Sequence, residues 1–440
     1  GTSTPVLVPV PGIHLRNLVY LNTVNLLGRY RTRLAHISFY SSSDFGNHDR
    51  TMEPNKEKQQ NRKELVIVDY QSLINTTPDE TKQVQEKISS AFGSDGVGII
   101  AVRNVPGFVE AKMDLLSLTH SLATLPTEQL KELEVPEALY NTGWSHGKEK
   151  LKNDIPDTNK ASFYYNPLVD MPGTEEERTK FPLSYPCNRW PDSESIPSFE
   201  TAAKRLGSLM KDVAVDVSKH IDDYAHSVNN SYPPETLYNA LVDTEKAKGR
   251  LLYYYPLTGA DQQKGTEIHT ESEDSWIGWH NDSGFLTALS GGVFMEPNGK
   301  ILPGSPCEDA GLYVVDRKDR IVRVQLPSDC MGIQIGECTQ ILTGGAVIAT
   351  PHCVKGAPNV ARTSLACFID TSPAYPLKGP PGKGSSSNDH LACSSWRVPP
   401  LSKRWKNGML FGDFLEKTFK MYYDFDDPSL TQKEGFGETK

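Results

Sequence analysis

The stretch Trp276–Leu289 reads WIGWHNDSGFLTAL, and it decides the fold because a polar segment interrupts two apolar runs. Within it, His280 and Asp282 are separated by one residue. On a strand or at its end, residues two apart face the same way, so both side chains can reach one ion. The apolar runs on either side predict that this pair lies at the end of a buried strand.

The histidine-x-acid pattern is weak evidence by itself, because a chain with 11 histidines and 55 acidic residues contains about 1.4 such pairs by chance. The sequence has two others. His220 and Asp222 lie in a predicted helix, where side chains two apart point to opposite sides, and we interpret them as surface polar residues. His269 and Glu271 lie in a polar run without a flanking apolar strand, and we interpret them as part of a solvated loop.

A second imidazole is available in His352, which follows the strand-like run Ala346–Thr350. Ten residues further on, Arg362 and Ser364 are again two apart on an apolar strand. A guanidinium that enters a β-core needs an anion, because an unpaired buried charge is very costly. Its planar fork fits a carboxylate. The alternative is that Arg362 pairs with an internal Asp or Glu.

Together these residues point to a metal site with an anion-binding residue nearby. Two histidines and one carboxylate on one face of a metal, with other positions open, are the ligand set of non-haem Fe(II) oxygenases. The candidate ligands are His280, Asp282 and His352. Tyr255, which precedes Pro256, is a further candidate donor to a bound carboxylate, with a core tyrosine as the alternative.

Short β-rich runs occupy Arg250 to Asp370, within a domain expected over 241–425, and turns that contain Gly, Pro or Asp separate them. Many short strands at such spacing are typical of a sandwich or barrel. We therefore expect a mainly β domain here, closed by a helix near 411–422. The predicted strands are Leu251–Tyr255, Phe285–Leu289, Gly311–Val315, Ile321–Gln325, Met331–Ile335, Val347–Thr350 and Thr363–Ile369.

Residues 64–240 predict a module rich in helices that forms one compact unit with the β domain. The run Thr77–Glu80 marks a helix start, with a capping threonine, a proline after it and a glutamate three residues after the cap. A longer amphipathic helix is predicted over 198–224. The other predicted elements are strands at Leu65–Val68 and Gly98–Val102 and helices near 108–122 and 127–134.

The net charge and the cysteines indicate which partners and which cellular compartment to expect. A net charge of −9 argues against nucleic acid or an anionic membrane as a partner, and no apolar run approaches the roughly 20 residues of a spanning helix. We expect a monomer that acts on a small molecule. The seven cysteines are scattered without a C-x-x-C pair, which favours free thiols in an intracellular, reducing compartment.

Residues 1–63 are expected to be a leader and linker, and residues 426–440 a tail. The segment 1–43 contains four arginines, ends in three serines and has no acidic residue. Such a composition is typical of an organellar transit peptide, and the alternative is a disordered or added leader. We therefore expect a cytoplasmic location, or a mitochondrial or plastid one if the leader is a transit peptide.

Over roughly residues 64–425 the chain resembles the 2-oxoglutarate/Fe(II) oxygenase superfamily, in particular its isopenicillin N synthase-like branch, which is common among plant oxygenases. The N-terminal motifs match more loosely, at Gly98–Gly107 and Leu125–Leu130. The matching motifs of the β domain are Tyr253–Pro256 for N-Y-Y-P with Tyr in place of Asn, His280–Asp282 for H-x-D, Gly311–Val314 for G-L-x-V, Ile335–Thr343 for I-G-x-x-x-Q-I-L-T, and His352 with Arg362–Ser364 for the distal His and R-x-S.

Two features depart from the family pattern. The spacing between His280 and His352 is longer than usual, and we expect the extra length in Gly291–Ala310. The usual N-H-G step is replaced at Asn104–Pro106. Neither departure touches a candidate ligand, but both weaken any assignment of the substrate by analogy.

The resemblance implies an α+β fold with a mainly β core, which is a double-stranded β-helix (jelly roll) with flanking helices. It implies Fe(II) on His280, Asp282 and His352, with no catalytic residue beyond these ligands. 2-Oxoglutarate and O2 would be co-substrates, with ascorbate as an activator. Arg362 and Ser364 would bind the far carboxylate of 2-oxoglutarate.

The same resemblance assigns Tyr255 as a third contact to that carboxylate. The implied activity is hydroxylation or desaturation of a small organic metabolite, with release of succinate and CO2. Two alternatives stay open, which are an Fe(II) oxidase of this fold that does not use 2-oxoglutarate and a catalytically silent binding protein. The candidates for lining a substrate pocket, with core packing as the alternative, are Trp144, Phe163, Tyr164, Tyr165 and Phe285.

Overall fold

Two β-sheets, with helices packed on the larger of them, make up the described part of the protein. The structure is a computed structural model, and it describes residues 62–75, 77–148, 157–257, 277–308, 310–381 and 397–423. All of these residues belong to one unit, Pro54–Lys440. The predicted leader (1–63) and tail (426–440) lie almost wholly outside the described residues.

The strands alternate with helices in the N-terminal half and follow one another in the C-terminal half. The strands are β1 (Arg62–Glu64), β2 (Val66–Asp69), β3 (Ile99–Arg103), β4 (Gly143–His146), β5 (Lys160–Tyr165), β6 (Ala247–Tyr254), β7 (Ile277–His280), β8 (Leu286–Met295), β9 (Gly311–Val315), β10 (Ile321–Gln325), β11 (Cys330–Ile335), β12 (His352–Lys355), β13 (Ala361–Ile369), β14 (Pro376–Leu377) and β15 (Met409–Leu410). The helices are α1 (Tyr70–Ile74), α2 (Pro78–Phe92), α3 (Phe108–Leu116), α4 (Thr119–Ala123), α5 (Thr127–Glu132), α6 (Glu175–Lys180), α7 (Phe199–Val228), α8 (Thr236–Leu241), α9 (Glu337–Leu342), α10 (Leu401–Arg404) and α11 (Phe411–Tyr423).

Within the described ranges, one sheet has eight strands in the order β2-β3-β11-β8-β13-β6-β5-β4, and the other has five in the order β1-β10-β9-β12-β7. The pairs β2–β3 and β1–β10 are parallel, and all other pairs in these two sheets are antiparallel. The non-sequential order of the antiparallel strands is that of a jelly roll with flanking helices, which confirms the predicted fold class.

Buried apolar side chains of the described residues form three clusters, of which two join the layers of the fold. Ile99 of the large sheet belongs to the same buried cluster as Val314 and Val322 of the small sheet, so this cluster joins the two layers. Another cluster lies under α7, which packs on α3, β8 and β13. Residues such as Met210 and Val217 of α7 are fully buried there, and each such side chain contributes roughly 1.5–3 kcal/mol.

Most predicted elements of the β domain are confirmed, but one is wrong in a way that affects the site. The run Val347–Thr350 is not a strand, because Ile348 N donates to Phe92 O and Ala349 N donates to the side chain of Gln340. The strand instead begins at His352. The predicted helix over 108–122 is two helices, since Leu118 N turns back to Leu115 O. Strands β4 and β5 were not predicted.

In the described part of the chain, no helix combines the length and apolar character needed to cross a bilayer. The six described cysteines are free thiols, as their scattered spacing predicted. Cys393 lies outside the described residues.

Candidate active site

Strands β7 and β12 bring the two candidate histidine ligands together. The strands pair antiparallel, and His352 lies directly opposite His280 in the register. Their ring centroids are 4.2 Å apart. Asp282 follows the end of β7 by two residues, and its carbonyl accepts a hydrogen bond of 2.8 Å from Glu337 N at the start of α9. The pairing of two distant strands therefore assembles the group that the sequence predicted.

The donor atoms of the three residues converge. Asp282 Oδ1 lies 3.9 Å from His280 Nε2 and 3.8 Å from His352 Nε2. The ligand atoms of all three residues lie within 4.8 Å of one another, and no other such group of three occurs among the described residues. Asp282 is buried, yet none of the described residues donates a hydrogen bond to its carboxylate. A cation would stabilise a buried carboxylate in these surroundings, so the site fits a metal ion.

The other nitrogen of each ring is held by a backbone carbonyl. His280 Nδ1 donates to Gly278 O over 2.8 Å, and His352 Nδ1 donates to Thr350 O over 3.1 Å. Gln334 Nε2 lies 2.8 Å from the same Nδ1, while Gln334 Oε1 has no partner, so an amide with its oxygen and nitrogen exchanged would accept from His352 Nδ1–H. Histidines that bind metals usually donate their second N–H in this way, which fixes the tautomer and leaves Nε2 as the ligand atom.

Electrostatics favour the neutral form of His280. Burial lowers the pKa of its ring, the neighbouring His352 lowers it further, and Asp282 opposes both effects. At neutral pH the ring therefore keeps the lone pair that a metal ion needs.

The second histidine-x-acid pair is not at the surface, so that interpretation was wrong. His220 is buried in α7, and its Nε2 contacts Leu73 O at 2.9 Å. Asp222 is also buried, and it accepts hydrogen bonds from Leu237 N and Tyr238 N, which begin α8. The two side chains have different partners, as their spacing on a helix requires. His269 and Glu271 lie outside the described residues.

Arg362 lies in β13, one of the two central strands of the large sheet, and the residue is 8% exposed. None of the described acidic residues forms an ion pair with it. The guanidinium lies 3.4 Å from Ser364 Oγ and 5.0 Å from the centre of the Tyr254 ring. Gly292 on β8 provides the space, since a Cβ there would lie 2.5 Å from Arg362 Nε. The alternative was that Arg362 pairs with an internal Asp or Glu, and no such partner is found among the described residues.

Lys112 is a second buried cation near this position that the sequence analysis missed. Burial lowers the pKa of its amine to about 8, with a further contribution from the charge of Arg362. Its Nζ donates to Ser328 O over 3.1 Å and lies near Gly291. A lysine one turn after Phe108, on the apolar face of α3, is the signal that could have revealed it.

The structure brings Tyr254, and not Tyr255, against Arg362. Adjacent residues of a strand face opposite sides, and Tyr254 is the direct partner of Arg362 in the register of β6 and β13. Tyr255 stacks on His146 with 5.0 Å between ring centres, and burial raises the pKa of its hydroxyl to about 12. Its role as a donor to a carboxylate stays a prediction.

The predicted substrate residues lie in different environments. Tyr164 is half-buried, with the guanidinium of Arg250 5.4 Å from its ring centre. Trp144 is buried in the main core. Phe285 is fully buried and packs edge-on against Tyr375 and Phe411, which places it in the core and not at the metal group. Phe163 and Tyr165 are core residues too.

Comparisons with known proteins point in the same direction. No protein-family model matches the sequence. A curated 2-oxoglutarate-dependent dioxygenase from Gibberella zeae is 23% identical over 293 residues, which are 66% of this chain and 67% of the relative.

Two solved structures share the fold. One is a full-length protein of Neurospora crassa in complex with α-ketoglutarate and thymine, with a TM-score of 0.57, 17% identity, and coverage of 82% of this chain and 97% of that one. The other is a 2OG-Fe(II) oxygenase family protein from Caulobacter crescentus, with a TM-score of 0.57, 19% identity, and coverage of 81% and 99%.

The ordered motifs, the jelly roll and the curated relative all point to a 2-oxoglutarate-dependent oxygenase. The plant-type branch stays a prediction. The chain therefore shares the ordered motifs, the fold and the candidate metal group of the 2-oxoglutarate/Fe(II)-dependent oxygenases.

Proposed function

We propose that the protein oxidises a small organic molecule, by hydroxylation or desaturation, with conversion of 2-oxoglutarate and O2 to succinate and CO2. The observation that carries the proposal is the combination of a His-Asp-His group, of which Asp282 and His352 are buried, with a buried arginine that no described carboxylate neutralises. The first fits a divalent metal, and the second fits the anionic end of the co-substrate.

In this proposal, His280, Asp282 and His352 hold Fe(II). Their donor atoms come from a strand end, the turn after it and the facing strand, so the backbone fixes them before a metal arrives. Three protein ligands leave coordination positions for the co-substrate and O2. When bound, Fe(II) supplies the activation of O2 that couples decarboxylation of 2-oxoglutarate to oxidation of the substrate.

Arg362 and Ser364 are proposed to bind the 5-carboxylate of 2-oxoglutarate. The guanidinium can form two parallel hydrogen bonds to a carboxylate, and in a buried site such charge-assisted bonds are strong. Lys112 contributes further positive potential from the adjacent helix α3. The apolar cluster around Tyr254, which includes Leu252 and Phe294, keeps water away from this position.

The residues that would line the substrate pocket are proposed from their exposure and their position in the sheet. Tyr164 and Arg250 are paired across β5 and β6 and are both half-buried, which makes them the better candidates. Trp144 on the neighbouring strand β4 is a weaker one, because its ring is buried. Phe285 is not retained as a candidate.

Oxygen consumption tests the proposal directly. The purified protein, with Fe(II) and ascorbate, is expected to consume O2 and release succinate only when 2-oxoglutarate is present. Oxygen uptake that does not depend on 2-oxoglutarate would favour the oxidase alternative. Tight binding of both Fe(II) and 2-oxoglutarate without any succinate, across a panel of candidate metabolites, would favour a silent binding protein.

A further inference from the structure

A buried ion pair lies behind the turn that carries two of the candidate metal ligands. Glu337 at the start of α9 and Arg404 at the end of α10 are 2% and 0% exposed. Arg404 Nη2 lies 2.6 Å from Glu337 Oε1, and Nη1 lies 2.7 Å from Oε2, so the contact is bidentate. This geometry holds the carboxylate plane in one orientation.

Glu337 also contacts the metal-binding turn twice. Its Oε1 accepts a hydrogen bond of 3.0 Å from Nδ2 of Asn281, the residue between the two ligands. Its backbone N–H donates to the carbonyl of Asp282 over 2.8 Å. One residue therefore holds both the side chain in the middle of the H-x-D motif and the backbone at its end.

Arg404 is itself fixed by the C-terminal segment. It donates to Pro399 O through Nε and Nη2, at 3.2 and 2.8 Å, and to Thr418 Oγ1 of α11 through Nη1, at 3.0 Å. A buried ion pair is weak evidence for stability, since apolar residues of similar volume often serve as well or better. The bonds from Glu337 to the turn give this pair a role that apolar residues lack.

We propose that Glu337 is a positioning residue for the metal site, held by Arg404, and that the pair fixes the His280–Asp282 turn for metal binding. The inference rests on the proposed function, because it assumes that this turn binds the metal. Loss of a partner that orients a metal ligand typically lowers metal affinity about 10- to 100-fold.

Two double variants isolate the contact with Asn281. Glu337→Leu/Arg404→Met removes the ion pair and the acceptor for Asn281 without leaving a buried charge. Glu337→Gln/Arg404→Met also removes the charges, but its amide oxygen can still accept from Asn281. We expect the Kd for Mn(II), measured by calorimetry, to rise about 10- to 100-fold in the first variant and clearly less in the second. The electron paramagnetic resonance spectrum of bound Mn(II) is expected to change in the first.

Asn281→Ala gives a second route that keeps the ion pair, and it is expected to weaken Mn(II) binding in the same way. Asp222→Asn is the matched control, since it disturbs a buried carboxylate elsewhere and should lower the melting temperature without changing the Kd for Mn(II). Wild-type affinity in both Glu337→Leu/Arg404→Met and Asn281→Ala would overturn the inference. So would an equal loss of affinity in Asp222→Asn. Failure of the wild-type protein to bind Mn(II) would count against the proposed function instead.

Discussion

His280–Asp282 and His220–Asp222 share one sequence pattern, but their environments differ. Asp222 lies in α7, where its carboxylate accepts hydrogen bonds from the first backbone amides of α8 and is satisfied by the protein itself. Asp282 lies beyond the end of β7, where the described residues offer its carboxylate two imidazoles and no hydrogen-bond donor. The same residue types thus become a structural link on a helix and a metal group at a strand end. Residues two apart face the same way at a strand end but not on a helix, and at the strand end the facing strand adds the second histidine.

The largest expected effect is on metal binding, which should depend on Asp282 and not on Asp222. Asp282→Ala should abolish Mn(II) and Fe(II) binding and lower succinate formation beyond the roughly 100-fold that loss of an outer partner causes. Its folding stability should change little, because none of the described residues donates a hydrogen bond to this carboxylate. Asp222→Ala should instead cost about 3 kcal/mol in the free energy of unfolding, since it leaves buried amides unpaired. Calorimetric titration measures metal binding, and urea unfolding measures the free energy of unfolding. Retained metal binding in Asp282→Ala together with lost metal binding in Asp222→Ala would contradict the different roles of the two aspartates.

Arg362→Met extends the comparison to the co-substrate. Truncating one partner of a buried, hydrogen-bonded charge pair typically costs about 2–5 kcal/mol, so the KM for 2-oxoglutarate should rise accordingly while Mn(II) affinity is kept. In the absence of 2-oxoglutarate, the melting temperature should stay the same or rise, because a buried charge without a described counterion is removed. An unchanged KM would indicate that another group binds the carboxylate.

The pH dependence of co-substrate binding should depend on Lys112. Its pKa is lowered to about 8 by burial and by Arg362, while Asp329 and Cys330 oppose this shift. The amine is therefore charged below pH 8 and attracts an anion there, and 2-oxoglutarate affinity should fall by up to about tenfold as the pH rises through 8. Lys112→Met should bind more weakly at pH 7 and should lose this dependence. A wild-type affinity that is flat between pH 7 and 9 would contradict the assignment.

The smallest expected effect concerns two adjacent tyrosines. Tyr254→Phe removes the hydroxyl of the ring that lies 5.0 Å from the Arg362 guanidinium, and it should raise the KM for 2-oxoglutarate by the equivalent of about 0.5–1.5 kcal/mol, the range for one hydrogen bond. Tyr255→Phe should have less effect. The opposite order would support the sequence-based assignment of Tyr255 as the donor.

The sequence predicted the ligands because their signal is local and periodic. His280 and Asp282 share a face by spacing alone, and Arg362 with Ser364 stand out as polar residues in an apolar strand. The choice between Tyr254 and Tyr255 was not accessible, because three consecutive tyrosines do not reveal which one faces inward. That is decided by the register between β6 and β13.

Other features depended on contacts between distant segments. The sequence does not show that Gln340 and Phe92 bind the backbone of residues 348–349 and so prevent a strand there. The packing of Phe285, predicted to line a substrate pocket, was not accessible for a similar reason, since its partners Tyr375 and Phe411 come from the C-terminal region. The burial of Asp222 likewise depends on α8, which follows it only after a turn.

The pairing of β7 with β12 also has a consequence for how the protein folds. Of the three candidate ligands, only His280 and Asp282 are close together in an unfolded chain, because His352 joins them through a contact between strands far apart in sequence. Such non-local pairings form late in folding. A bound metal is therefore expected to slow unfolding and to leave the refolding rate nearly unchanged, since it stabilises a site absent from the transition state. Metal loss would then shorten the lifetime of the folded protein without impairing its formation.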